Sequence, residues 1–174
     1  MRTTVGLFAL LLSLVGITAP LSEASAPPSG ASLEFRVPPA DRIPEEVECL
    51  AKNIYFEARS EPDNGKIGVA LVTLNRVKHP NFPSTVCGVV YQPSNIPKKR
   101  KLCQFSWWCD GKKDVIRDKM RYNDCITIAK HILSYRRKDI TKGATHYHAK
   151  YVRPWWAKKL TKTVEIGTHI FYKM

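Results

Sequence analysis

Acidic residues are scarce in this 174-residue chain: 15 Asp and Glu stand against 28 Lys and Arg, a formal charge of +13. No G-x-G-x-x-G or G-x-x-x-x-G-K-[ST] stretch occurs, so two glycine-built phosphate cradles are absent. No C-x-x-C is found among the five cysteines, which weakens a zinc reading. No G-x-S-x-G elbow surrounds a serine, which argues against a serine nucleophile of that type. The apolar run Val5 to Gly16 has 12 residues, too few for a spanning helix, which needs roughly 20. Internal repeats are lacking. What remains is a 44% hydrophobic, 25% charged composition, that of one globular domain.

The N-terminal segment reads as an address. Arg2, the short apolar run and Ser22 to Ala26 have the order of a signal peptide, with cleavage expected after Ala24. Residues 1–24 are therefore expected to be removed. Residues 25–44 hold five of the twelve prolines and are expected to form an extended linker. The working domain is residues 45–174. Export to the periplasm or extracellular wall permits disulfides among Cys49, Cys87, Cys103, Cys109 and Cys125. Two bridges can be arranged in 15 ways and leave one thiol over. The close pair Cys103 and Cys109 is placed to pin the QFSWW loop.

The domain reads as α+β, helices first and a small antiparallel sheet last. Pro44-Glu45-Glu46 predicts a helix start, with Val47, Leu50, Ala51, Ile54 and Ala58 on one stripe. Pro62 to Gly65 breaks the chain. A second helix carries Ile67, Ala70, Leu71, Leu74 and Val77. Ser84 is placed to cap a short segment from Thr85 to Tyr91. A long basic loop follows from Gln92 to about Arg117, and a third helix is expected over Asp118 to Ser134, with Ile128, Ile132 and Leu133 inward. Strands are expected at Thr145 to His148, Thr163 to Ile166 and His169 to Tyr172, with Gly167 at a turn.

Glu57 and Glu61 are four apart and would share a helix face if the helix runs through both. Ile54 and Ala58 flank Glu57 on the buried side. A partly desolvated carboxyl keeps its proton, which suits donation to a glycosidic oxygen. An ordinary solvated glutamate is the other reading, and spacing alone does not separate the two. Trp107-Trp108 and Trp155-Trp156, with Phe105 and Tyr147, have the faces to line a sugar-binding groove, one of each pair in and one out. His146 and His148 share a strand face, and with His169 they outline an alternative zinc site of three histidines. The trio lacks a signature ligand spacing, so no metal and no cofactor is expected. The basic stretches, Lys98 to Arg121 and Arg136 to Lys162, suit polyanions. Export argues for anionic envelope polymers as partners and against nucleic acid.

Six blocks in order carry a likeness: NIYFEARSE (Asn53 to Glu61), GVALVTLNRV (Gly68 to Val77), FPSTVCGVVYQ (Phe82 to Gln92), CQFSWWCDG (Cys103 to Gly111), GATHYHA (Gly143 to Ala149) and IGTHIFY (Ile166 to Tyr172). Together they resemble the SleB/CwlJ-type cell wall hydrolases, the spore-cortex-lytic enzymes and their vegetative relatives. The resemblance implies a compact lysozyme-like single domain that acts on peptidoglycan; a monomer is the default expectation. It implies lytic transglycosylase chemistry between N-acetylmuramic acid and N-acetylglucosamine, with Glu57 as the single acid/base. The alternatives are a zinc N-acetylmuramoyl-L-alanine amidase built on the histidines, or an inactive wall-binding module. The expected substrate-binding set is Glu61, Gln104, Phe105, Ser106, Trp107, Asp110, His146, Tyr147 and His148. Glu61 and Arg59 also read as supports of the helix end, and Asn75 and Arg76 as ties from the second helix to the sheet. Ser60 replaces the glycine common in the EARGE block, and an ordinary turn is expected there.

Overall fold

The computed structural model describes residues 43–93, 103–135 and 137–174. The expected signal peptide, the linker up to residue 42 and the KKRK run at 98–101 lie outside the described residues.

Helix α1 spans Glu45–Ala58 and places Val47, Leu50, Ala51, Ile54 and Ala58 inside, the stripe read from the sequence. Its acids do more than favour their own N-terminus. Glu46 reaches the start of α3 (Val86–Val90) and accepts from the Val86 and Cys87 amides at 2.7 and 3.4 Å. The α3 cap is Thr85, whose hydroxyl accepts from Gly88 N at 3.1 Å, one residue later than Ser84. A disulfide between Cys49 and Cys87 fastens the same two helices. Its 38-residue separation corresponds to about 4 kcal/mol of denatured-state entropy in the chain-entropy account.

Helix α2 runs Asp63–Val77 and begins inside the expected break, with Pro62 at its N-cap. Of its expected stripe, Ala70 and Leu71 are buried, while Ile67, Leu74 and Val77 are half-buried. Val69, Val72, Thr73 and Arg76 are buried as well, because α2 lies between α1 and the sheet. Helix α4, Lys119–Ser134, starts where Asp118 accepts from Arg121 N at 3.0 Å. It buries Cys125, Ala129 and Ile132 against α1, while Ile128 and Leu133 are half-buried. Leu50 and Ile54, fully buried at the centre, are each worth about 1.5–3 kcal/mol of removed apolar surface.

The three strands are β1 (His146–Ala149), β2 (Thr161–Ile166) and β3 (His169–Lys173), antiparallel in the order β1-β3-β2. Gly167, at φ +58°, turns β2 into β3. Register pairs Tyr147 with Phe171 and Ala149 with His169. Residues 147, 169 and 171 therefore share one face, and residues 146, 148, 170 and 172 share the other. Phe171 is fully buried between sheet and α2, and its ring tip needs Gly68: a Cβ there would meet Cζ at 2.7 Å.

Candidate active site

Glu57 is the penultimate residue of α1, and the last turn of that helix carries no basic residue. The carbonyl-rich end of a helix disfavours an anion. One oxygen, Oε2, accepts a hydrogen bond from Tyr147 Oη at 2.8 Å. Burial pushes the Glu57 carboxyl above its ordinary 4.5, against the opposing pull of the Tyr147 hydroxyl and the Arg76 charge. Tyr147 is itself pushed up by burial and by its carboxyl neighbour, so it stays a donor. No hydrogen bond reaches Oε1 among the described residues.

Arg76 lies deeper. It is 4% exposed, donates from Nε to Thr145 O at 2.7 Å and is sandwiched between the Phe82 and Phe105 rings at 5.2 and 4.9 Å. Burial lowers its pKa to about 10, while Tyr147 and Glu57 act in the other direction. It remains a cation. Its Nη1 is buried without a partner among the described residues. Asn75 donates to Asp139, Thr141 and Ala144 O, so both residues tie α2 to the chain entering β1 as expected. Arg76 also brings a positive charge to Glu57, a role with no signal in the local sequence.

One turn before Glu57, Asn53 is fully buried. It donates to Thr73 Oγ1 and accepts from Trp107 Nε1, both at 3.1 Å. An Asn on an apolar stripe, four residues before a candidate acid, is the signal that sequence reading passed over. Trp107 stacks on Phe56 at 4.6 Å and is 8% exposed. Beside this stack opens a cavity of about 340 Å3, lined in part by Phe56, Arg59, Trp107 and Asp110.

The two glutamates do not share a helix face. The helix ends at Ala58, and the backbone ahead of Pro62 is disfavoured from continuing it. Glu61 instead accepts from Thr168 N at 3.0 Å and from Thr168 Oγ1. These bonds hold its carboxyl below the ordinary range although burial alone would raise it. Glu61 thus clamps the β2–β3 turn to the end of α1, the support role, with Thr168 as a partner that sequence reading missed. Arg59 caps the helix, and its carbonyl accepts from Arg121 Nη1 at 3.0 Å. Ser60 has an ordinary backbone, since Lys142 is the one non-glycine residue with positive φ among the described residues.

Cys103 and Cys109 are bridged, which pins the loop between them, and Cys125 is the free, buried thiol. Within that loop Gln104 is half-buried and its amide donates to Gln92 O at 3.0 Å. Phe105 is buried beneath Arg76, Ser106 is exposed at the start of the 3-10 turn Ser106–Cys109, and Asp110 is exposed and paired with Lys112. Trp107 lies in and Trp108 out, as expected, but a 3-10 turn and not a strand produces the split.

Sheet alternation divides the histidines. His169 sits beside Tyr147 with ring centroids 5.1 Å apart. His146 and His148 lie on the opposite face against Trp156, at 5.4 and 5.6 Å. The three do not converge, and no group of three potential ligands is found among the described residues. His148 does not join Glu57: its Nδ1 donates to Ala149 O at 2.9 Å, and its Nε2 pairs with Tyr172 Oη at 3.0 Å. Burial, then the Arg76 and His79 charges, bring His146 down to about 4, so it is neutral at pH 7. Trp155 and Trp156 share its side of the sheet, away from Tyr147, so the two tryptophan pairs do not line one groove.

Residues 60–172 match the family described as Cell Wall Hydrolase, beginning three residues after Glu57. A spore cortex-lytic enzyme of Halalkalibacterium halodurans is 30% identical over 135 residues, 76% of this chain and 36% of that protein. One from Bacillus subtilis is 44% identical over 48 residues, 28% of this chain and 16% of that protein. The chain therefore spans about a third or less of the length of these curated relatives. In three dimensions it is similar to the catalytic domain of the germination-specific lytic transglycosylase SleB from Bacillus anthracis. The TM-score is 0.57 at 28% identity, covering 78% of this chain and 99% of that one. The catalytic domain of the Bacillus cereus SleB protein gives 0.52 at 27% identity, with 74% and 89% covered.

Proposed function

The chain belongs to the cell wall hydrolase family, and we propose that within it this protein is a lytic transglycosylase of peptidoglycan with Glu57 as its one acid/base. The observation that carries this reading is a carboxyl held at the end of α1 by a single phenol donor, in surroundings that favour its proton. Tyr147 occupies Oε2, so the acidic hydrogen belongs on Oε1. Glu57 donates it to the oxygen linking N-acetylmuramic acid C1 to the next N-acetylglucosamine. The C1–O bond breaks, and the muramic 6-hydroxyl closes on C1. The carboxylate left behind takes the hydroxyl proton, which restores Glu57 and yields a 1,6-anhydro end. Arg76 supplies a fixed positive charge that eases the transient anion.

A water-using glycosidase places a second carboxylate across the bond, at least ~5 Å from the acid. Glu61, the nearest acid in sequence, is committed to Thr168. Attack by the sugar's own hydroxyl needs no such partner. An amidase needs converging metal ligands, and the division of the histidines gives no support to it. The relatives' names and the two disulfides support a site of action outside the cytoplasmic membrane, in the periplasm or wall. The expected substrate-side contacts are Trp107 and Asp110, which border the cavity next to α1, and Ser106 beside them.

Purified protein incubated with sacculi should release fragments whose mass shows an anhydro end. Reducing ends would indicate attack by water, and new alanine amino termini would indicate amidase chemistry. Glu57→Gln should lower turnover at least ~100-fold, and full activity of that variant would overturn the assignment.

A further inference from the structure

A cavity against the sheet lies on the face turned away from Glu57. It measures about 550 Å3 and is lined by Arg153, Pro154, Trp155, Lys158 and Ile170, with His148 and Tyr172 as its floor. The segment between β1 and β2 that builds it exposes its aromatics: Tyr151 is 87% and Trp155 67% exposed. Flat exposed rings suit the C–H faces of sugars. The same segment is rich in cations. Lys150, Arg153, Lys158, Lys159 and Lys162 fall within it or at its edge, with no acid among residues 150–162. Glu165, the acid on that sheet face, is already paired with Lys150 at 3.3 Å and with Lys162. Lys158 makes no ion pair among the described residues, and Arg153 is engaged only through Nη1, with Lys150 O at 3.0 Å.

We propose that this reverse face is a second carbohydrate-binding site, which holds a neighbouring peptidoglycan strand by stacking a sugar on Trp155 and pairing stem-peptide carboxylates with Arg153 and Lys158. The inference rests on the substrate class of the proposed function. An insoluble wall presents many strands at once, so a second contact raises the local concentration of bonds at the first site. Trp155 and Glu57 lie on opposite sides of one sheet, so the two contacts engage separate strands or distant parts of one.

The test separates binding from turnover. Full-length protein carrying Glu57→Gln is pelleted with sacculi stripped of phosphate-bearing polymers by acid. Adding Trp155→Ala with Lys158→Gln should weaken pelleting about tenfold with an unchanged melting temperature. In the otherwise wild-type chain, the same pair should slow turnover of sacculi by a similar factor and leave turnover of short soluble glycan fragments unchanged. Undiminished pelleting overturns the proposal. So does an equal loss on soluble fragments, or pelleting seen only with unstripped sacculi, which would assign the face to a phosphate polymer. Absence of any turnover by the unaltered protein sinks the proposed function instead, and the pelleting result still decides this site.

Discussion

Gly167→Ala tests the clamp between the sheet turn and the end of α1. An alanine Cβ at this position would lie 2.1 Å from Glu61 Oε2, inside any tolerable contact. The backbone adds its own cost, about 1 kcal/mol for a side chain at φ +58°. The carboxylate must then leave Thr168 and forfeit two charge-assisted bonds. At this exposed site each is worth about 1 kcal/mol, below the roughly 1.5–3 kcal/mol of bonds to charged groups. The sum is about 3 kcal/mol, or roughly 10 °C in melting temperature for a domain of this size. Urea denaturation of Gly167→Ala alone and in a Glu61→Ala background separates the terms. In the second background only the backbone part should remain, about 1 kcal/mol. A loss below about 0.5 kcal/mol, or an equal loss in both backgrounds, would refute the claim that Glu61 holds this turn.

Activity should fall as pH rises, because the proposed mechanism starts from protonated Glu57. Tyr147→Phe removes the donor that favours the anion, so its pH–rate profile should move to the alkaline side while kcat drops. A profile moving to the acid side would contradict the geometry. The raised carboxyl also has a stability consequence with a fixed sign. Its contribution is complete below 4.5 and is lost as pH rises through the higher folded value. Glu57→Gln should therefore unfold at higher urea than wild type at pH 7, and a less stable variant would argue against a buried, proton-holding carboxyl. His146 runs the other way: depressed to about 4, it costs stability as pH falls from 6.5 to 4. His146→Gln should flatten that decline in equilibrium unfolding, and an unchanged slope would place the sensitivity elsewhere.

The parts legible in the sequence were those dictated by local pattern. The α1 stripe, the Cys103–Cys109 loop pin and the turn at Gly167 each follow from spacing or one residue's backbone freedom. The parts that were not legible depend on what packs against what. Helix α2 buries two faces because the sheet returns across it, and nothing in Val69, Val72 or Thr73 alone announces that return. Glu61 looked like a helical partner of Glu57 because their spacing is right, and only the stop before Pro62 and the distant Thr168 give it another role. The His146-x-His148 pattern correctly put two rings on one face. It could not say that the antiparallel register sends His169 to the other. Asn53 is not legible because a polar residue on a helix reads as solvated until Thr73 and Trp107 are brought to it.

In the proposed mechanism one carboxyl serves alone, and these supports suit that role. A glutamate at a free helix end would sample many rotamers and keep the acidity of water-exposed carboxylates. Here the helix end is fixed from three directions: Glu61 to the sheet turn, Arg121 to the Arg59 carbonyl, and the Asn53–Trp107 bond one turn earlier. Tyr147 is fixed in turn, because Phe171 and His169 pack on its ring at 5.7 and 5.1 Å. Donor and acceptor therefore meet without either having to be ordered when substrate arrives, which spares the entropy that a mobile acid would lose. The opposing influences on the carboxyl matter equally. Burial alone would leave a reluctant acid, because the anion it must become is disfavoured, and a direct ion pair would leave an ionised group with little pull on the returning proton. A cation near Glu57 but bonded elsewhere, to Thr145 O, moderates the anion without trapping it. That balance is what a group that must both give and take the same proton requires.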